Sequence, residues 1–157
     1  HAGTLTQEWY SKMRDATGIT PQQWVEVIEV AISVASVFRF SQLAGIERPE
    51  FPAAIKGDPS RQGQPSKPAK HHWVPVVHLE DMTPELAPFY DGLPALPPVI
   101  RALSSVPSAM DTLATLSSAQ YIPTREMVDL NWTRGTLSRR QIEFVAGRLS
   151  AHRECFY

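Results

Sequence analysis

The alternation of apolar and polar positions divides the chain into helices and connections. Residues 2–17 are rich in polar side chains, with Trp9, Tyr10 and Met13 among them, and predict a helix that Gly18 stops. The next segment carries the clearest signals. Thr20 stands at an N-cap, Pro21 at the first helical position, and Gln23 completes a capping box, with Ile19 and Trp24 at the staple positions. A helix is predicted from Pro21 to about Ala44, ended by Gly45. Glu26, Glu29, Ser33 and Ser36 form one thin polar stripe at 3-4-3 spacing, and nearly every other position is apolar. A helix apolar over most of its circumference is expected to be buried on several sides. The expectation is therefore a central core helix or a subunit interface, with oligomerisation favoured.

Residues 56–75 change character. Lys56, Gly57, Pro59, Gly63, Pro65, Pro68 and Lys70 read as a linker between an N-terminal piece, 1–55, and a C-terminal piece, 76–157. Val74-Pro75-Val76-Val77 is too short and proline-broken to predict a strand. Thr83-Pro84-Glu85 starts a predicted helix to about Tyr90, with Gly92 as its stop. Pro97-Pro98 opens another through Ser104, and Pro107 a third through about Ala119. Residues 124–134 read as helical up to Gly135. Ser138 and Gln141 then form a second capping box, stapled by Leu137 and Ile142. Ile142, Val145, Ala146 and Leu149 give an i, i+3, i+4, i+7 stripe. No strand-period segment matches these, so the predicted fold class is all-α.

Composition narrows the function. Apolar residues at 43% and charged residues at 20% exclude a wholly disordered chain. Fifteen Lys+Arg against sixteen Asp+Glu argue against nucleic acid or an anionic membrane as a partner bound by bulk charge. No run of about 18 apolar residues is read that would span a bilayer. A single cysteine excludes an internal disulfide framework and a cysteine-based zinc site within one chain. The first residue is His1 and the last are Glu154-Cys155-Phe156-Tyr157, which suggests a segment of a longer chain.

No phosphate loop, nucleophile-elbow serine or helical two-histidine metal motif is present. His71-His72 read as part of a solvated linker rather than a metal site, since adjacent histidines point apart; His78 and His152 read as ordinary surface or half-buried residues. Cys155 has two readings. It is a small buried hydrophobe, or it is a reactive thiol near Arg153 and His152, twelve residues after Glu143. One straight helix would hold Glu143 and Cys155 about 18 Å apart. A turn near residues 151–154 would instead let Cys155 begin a new helix, where the helix N-terminus and a cation favour thiolate. On that reading Glu143 points into the cavity holding the thiol, and desolvation raises its pKa.

The stretch Leu137-Ser138-Arg139-Arg140-Gln141-Ile142-Glu143-Phe144-Val145-Ala146, with Glu154-Cys155-Phe156-Tyr157, resembles the carboxymuconolactone decarboxylase / alkylhydroperoxidase D superfamily. That family's motif is Glu, eleven residues, Cys, two residues, Cys, three residues, His. Glu143 and Cys155 match its first two elements; the second cysteine would be residue 158, which this sequence lacks. Pro97-Pro98-Val99-Ile100-Arg101-Ala102-Leu103 and the helix after Pro107 are similar to the family's N-terminal helices, so the likeness covers about residues 79–157. In the N-terminal piece, Gly18-Ile19-Thr20-Pro21 is similar to the turn before the family's long apolar helix, Ser36-Val37-Phe38-Arg39-Phe40 to that helix's end, and His1 to the motif's closing histidine. His1 lies 17 residues before Gly18, about two helical turns more than the family pattern.

The resemblance implies an oligomeric helical bundle of the alkylhydroperoxidase D type. It has two half-domains in reversed order, either cut from a tandem protein or circularly permuted. It implies a peroxide-reducing thiol oxidoreductase, with Cys155 as the outer, disulfide-forming thiol, Glu143 as proton-relay base and His1 as a candidate relay histidine. It implies no cofactor and no metal, a peroxide or lactone as small-molecule substrate, a dithiol electron-donor protein, a homo-oligomer, no nucleic-acid or membrane partner, and a cytoplasmic location. Lactone decarboxylation, or a helical oligomerisation module that lost the site, are the alternatives.

Overall fold

A computed structural model describes residues 5–58, 63–90 and 96–155. Helix α1 spans Gln7–Thr17: the Thr6 hydroxyl accepts from the Trp9 amide, and Gly18, in the left-handed region at φ 67°, closes it by donating to the Arg14 carbonyl. Helix α2 spans Pro21–Ala44 with the reciprocal capping box in place: Gln23 N donates to Thr20 Oγ1 at 3.2 Å and Thr20 N to Gln23 Oε1 at 2.8 Å. Helix α2 has the expected bounds and α1 the expected stop at Gly18, because those signals are local, while α1 starts later than the expected stretch 2–17, at Gln7 behind the Thr6 cap.

The short helices α3 (Ala87–Tyr90) and α4 (Pro98–Arg101) lead into α5 (Pro107–Gln120). They are shorter than the sequence suggested, and turns fill the remainder. The core sits between them. Val77, Leu86, Leu96 and Met110 form one cluster, Val25, Val106 and Ala109 another, and Leu103 packs against both. Ser104 is fully buried, and its hydroxyl accepts from the Val77 amide at 2.8 Å.

Residues 124–134 are not a helix. A 3-10 turn at Thr124–Glu126 is followed by turns and a two-stranded hairpin, β1 (Thr133–Arg134) with β2 (Leu137–Ser138). Gly135 takes the first position of its two-residue turn at φ 57°, where a two-residue hairpin favours glycine. Helix α6 (Arg139–His152) follows directly, with the Ser138–Gln141 capping box formed. Among the described residues the structure is mostly helical, and this hairpin is its only sheet.

The described part of the linker is folded against the body. Gln64 N donates to the Ser105 carbonyl, Lys67 pairs in an isolated bridge with Val76, and Trp73 stacks on Tyr10. The two pieces on either side also pack together, α2 lying on α5.

The burial expected for α2 is not found within the chain. Only Val25 and Ser41 of its 24 residues are buried, while Val27, Val30, Ile32, Phe40 and Leu43 are exposed. Part of the polar stripe faces α5: Glu29 Oε1 accepts from Thr112 Oγ1 at 2.6 Å and Ser36 bonds to Gln120, while Glu26 is exposed. Helix α2 is long and apolar enough to cross a membrane by length and composition, a run the sequence reading did not find.

Candidate functional site

Glu143 lies on the first turns of α6, and its environment begins with Arg139 one turn earlier. Residues i and i+4 share a helix face, and Arg139 Nε donates to Glu143 Oε1 at 2.7 Å. The rest of the Arg139 guanidinium is turned into the protein. Its terminal nitrogens donate to the carbonyls of Glu126 (3.1 Å), Asp129 (3.1 Å) and Met127 (3.0 Å), and the residue is only 9% exposed. A planar fork with five donors suits such a multi-acceptor seat better than an ammonium would.

The other carboxylate oxygen, Oε2, accepts from the Tyr121 hydroxyl at 2.8 Å. Tyr121 is placed by Arg134, which donates to the carbonyls of Tyr121 and Ser118 and covers the Trp132 ring. Glu143 therefore sits in a chain Tyr121–Glu143–Arg139, with the carboxylate half exposed. Burial pushes its pKa up, but the bonds from Tyr121 and Arg139 and the Arg139 charge outweigh this, and the net shift is downward. The expectation of a raised pKa is thus corrected: desolvation is present, but the guanidinium and hydroxyl stabilise the anion more. Burial and then the Glu143 bond and charge hold the Tyr121 phenol up at about 12.

The chain does turn beyond Leu149. Glu154, at φ 53°, takes the left-handed position; its amide donates to Ala151 O and the Cys155 amide to Ser150 O. That is a Schellman closure. It leaves Cys155 exposed with a free thiol, so the reading of a buried hydrophobe is set aside. Cys155 is tied at Ser150, seven residues and about 10 Å along the axis from Glu143. A proton relay needs about 3 Å or one bridging water, so this arrangement does not bring Glu143 and Cys155 together. His1, Phe156 and Tyr157 lie outside the described residues.

A separate open groove of about 620 Å³ runs between α3, α5 and the 3-10 turn, with Phe89 and Pro123 among its apolar walls and Glu85, Asp111 and Glu126 as its carboxylates. Neither Glu143 nor Cys155 lines it. It adjoins their surroundings through Glu126, whose carbonyl is one of the Arg139 acceptors.

Sequence reasoning named Glu143 but missed its partners. Arg139 was legible as an i, i+4 cation. Tyr121 lies 22 residues upstream, and no spacing rule connects it to Glu143. No family model, curated protein or solved structure matches the chain.

Proposed function

We propose that the chain carries the relay glutamate and one redox thiol of a hydroperoxide-reducing oxidoreductase of the alkylhydroperoxidase D type. The observation that supports this is α6 itself. A capped helix presents the half-exposed Glu143 carboxylate bonded to a phenol, and the helix is closed by a turn that leaves the Cys155 thiol in solvent. In this reading a motif thiolate attacks the peroxide, an S–O bond forms, the O–O bond breaks, and the alkoxide leaves with a proton. The second thiol attacks the sulfenic acid sulfur, the S–OH bond breaks, and hydroxide takes the thiol proton and leaves as water, closing a disulfide that an external dithiol reduces back to two thiols. Cys155 is the disulfide-forming thiol, and Glu143 with Tyr121 supplies the proton path.

The experiment is hydroperoxide consumption by the full-length protein with a dithiol donor. Glu143→Gln lowers turnover by roughly 10²-fold, the scale of a lost acid–base group, and Cys155→Ser abolishes disulfide formation with helix content unchanged. If both variants match the parent, the redox reading fails. A helical assembly module without catalysis is the second reading. It is favoured by the engagement of both Glu143 carboxylate oxygens in packing bonds, and it requires the parent and both variants alike to consume peroxide no faster than buffer.

A further inference from the structure

We infer that the groove between α3, α5 and the 3-10 turn is a binding site for a small organic cation, a primary ammonium carried on an apolar body. The floor of the groove is one face of α5. Pro107, Asp111, Ala114 and Ser118 follow 4-3-4 spacing, the stripe that successive helical turns share. Ala114 and Ser118 are small, so the floor stays low between its walls. Pro88 and Phe89 of α3 form one wall, and Pro123 opens the other at the start of the 3-10 turn. The enclosed volume of about 620 Å³ is that of a small-molecule pocket. Surface carboxylates alone would hold hydrated ions; these walls give an apolar body a place out of water.

Charge selects the occupant. Each side of the groove contributes one carboxylate: Glu85 from the turn before α3, Asp111 from the floor and Glu126 from the 3-10 turn. Among the described lining residues Arg125 is the one cation, and no ion pair joins it to these carboxylates. Three carboxylates against one guanidinium attract a cation and repel an anion. An ammonium has three donors to divide among acceptors on different sides, whereas a guanidinium presents a planar fork. The apolar body then lies along Phe89 and the prolines. An extended peptide is a worse occupant. Pro88, Pro107 and Pro123 have no backbone N–H, so these positions offer its carbonyls no main-chain donor. Neither Glu143 nor Cys155 lines the groove, and the inference does not depend on the thiol chemistry.

The test is calorimetric titration of the full chain with phenylbutylamine, which is cationic at neutral pH. Phenylbutyrate carries the same body on an anion, and butylamine keeps the charge without the ring. Phenylbutylamine is expected to bind, phenylbutyrate about tenfold more weakly, and added salt to weaken the amine. Asp111→Asn, at an exposed position, should keep the fold and weaken the amine roughly tenfold, the scale of one hydrogen bond to a charged group. Ala114→Leu fills the floor without changing charge and should abolish binding. Circular dichroism and melting check both variants, and Asp111→Asn decides alone if the leucine variant folds poorly. No binding at millimolar phenylbutylamine overturns the inference. So does phenylbutyrate or butylamine bound as tightly as phenylbutylamine, an affinity that both variants leave unchanged, or a prolyl-lysyl peptide bound more tightly than the amine.

Discussion

Arg139→Ala removes four hydrogen bonds at once, three to the carbonyls of residues 126, 127 and 129 and one to Glu143. A hydrogen bond involving a charged group contributes about 1.5–3 kcal/mol, but the four do not sum. Val128 and Asp129 are exposed, so water reaches part of the freed turn, and Glu143 is half exposed. The bulk of the loss comes from the buried guanidinium and the Met127 carbonyl, since the Glu126 and Asp129 carbonyls also accept from the Asp129 and Trp132 amides. Removing one member of a largely buried charge network costs about 3–5 kcal/mol, and the lower half of that range applies here. For a domain of this length each kcal/mol lowers the melting temperature by roughly 2–4 °C, so Arg139→Ala should melt about 10 °C below the parent. Arg139→Lys keeps the charge but not the fork, and should fall between them. The assay is urea and thermal unfolding, with amide exchange over residues 124–134 as the local readout. A loss of stability below about 1 kcal/mol, or unchanged protection of that segment, would refute the argument that one side chain organises it.

The Tyr121–Glu143 bond sets two pH dependences of opposite sign. The folded Glu143 pKa is lowered, so its stabilisation is present above the ordinary carboxylate pKa and lost as pH falls through the folded value; Glu143→Gln should flatten the acid limb of a stability–pH curve. The folded Tyr121 pKa is raised from 10.0 to about 12, so its contribution is present below pH 10 and lost as pH rises toward 12; tyrosinate absorbance in Tyr121→Phe should lack that late step. Ser104→Ala strands the Val77 amide in the core and should cost about 1–3 kcal/mol in urea unfolding, whereas a neutral result would mean that another acceptor reaches Val77.

What was legible in the sequence is what is decided within four residues. The capping boxes at Thr20 and Ser138, the glycine stops after Thr17 and Ala44, and the Arg139–Glu143 spacing are all of that kind. The segment 124–134 was misread because its fate is decided by α6. As a helix, the carbonyls of residues 126, 127 and 129 would accept from amides four residues on; instead all three accept from the Arg139 side chain, those of Glu126 and Asp129 sharing it with amides three residues on, and the backbone runs as turns and a hairpin. No local propensity in Met127 or Leu130 announces that competition. Cys155 shows the same limit. The turn before it is local and was foreseen, but whether it returns toward Glu143 depends on how the helix is closed, and the Schellman bonds to Ala151 and Ser150 hold it at the far end.

The α2 helix carries this furthest. A thin polar stripe on an apolar helix reads as the solvent face, because polar groups ordinarily seek water. Here Glu29 meets Thr112 in a half-buried contact and Ser36 meets Gln120 in an exposed one, so facing α5 leaves neither without a partner. Once those bonds fix the rotation of α2, Val27 and Val30, which lie about 100° or more around the helix from Glu29 and Ser36, point into solvent. The contacts on α5 can be broken without touching that outward face. Thr112→Val removes the donor to Glu29 while preserving shape, so the side of α2 that meets α5 loses a partner and the outward face keeps its composition. The expected outcome is a loss of about 1 kcal/mol in urea unfolding with helix content unchanged, the scale of one hydrogen bond. An unchanged stability would mean that the Thr112–Glu29 contact does not hold α2, and that the inward stripe does not determine its outward face.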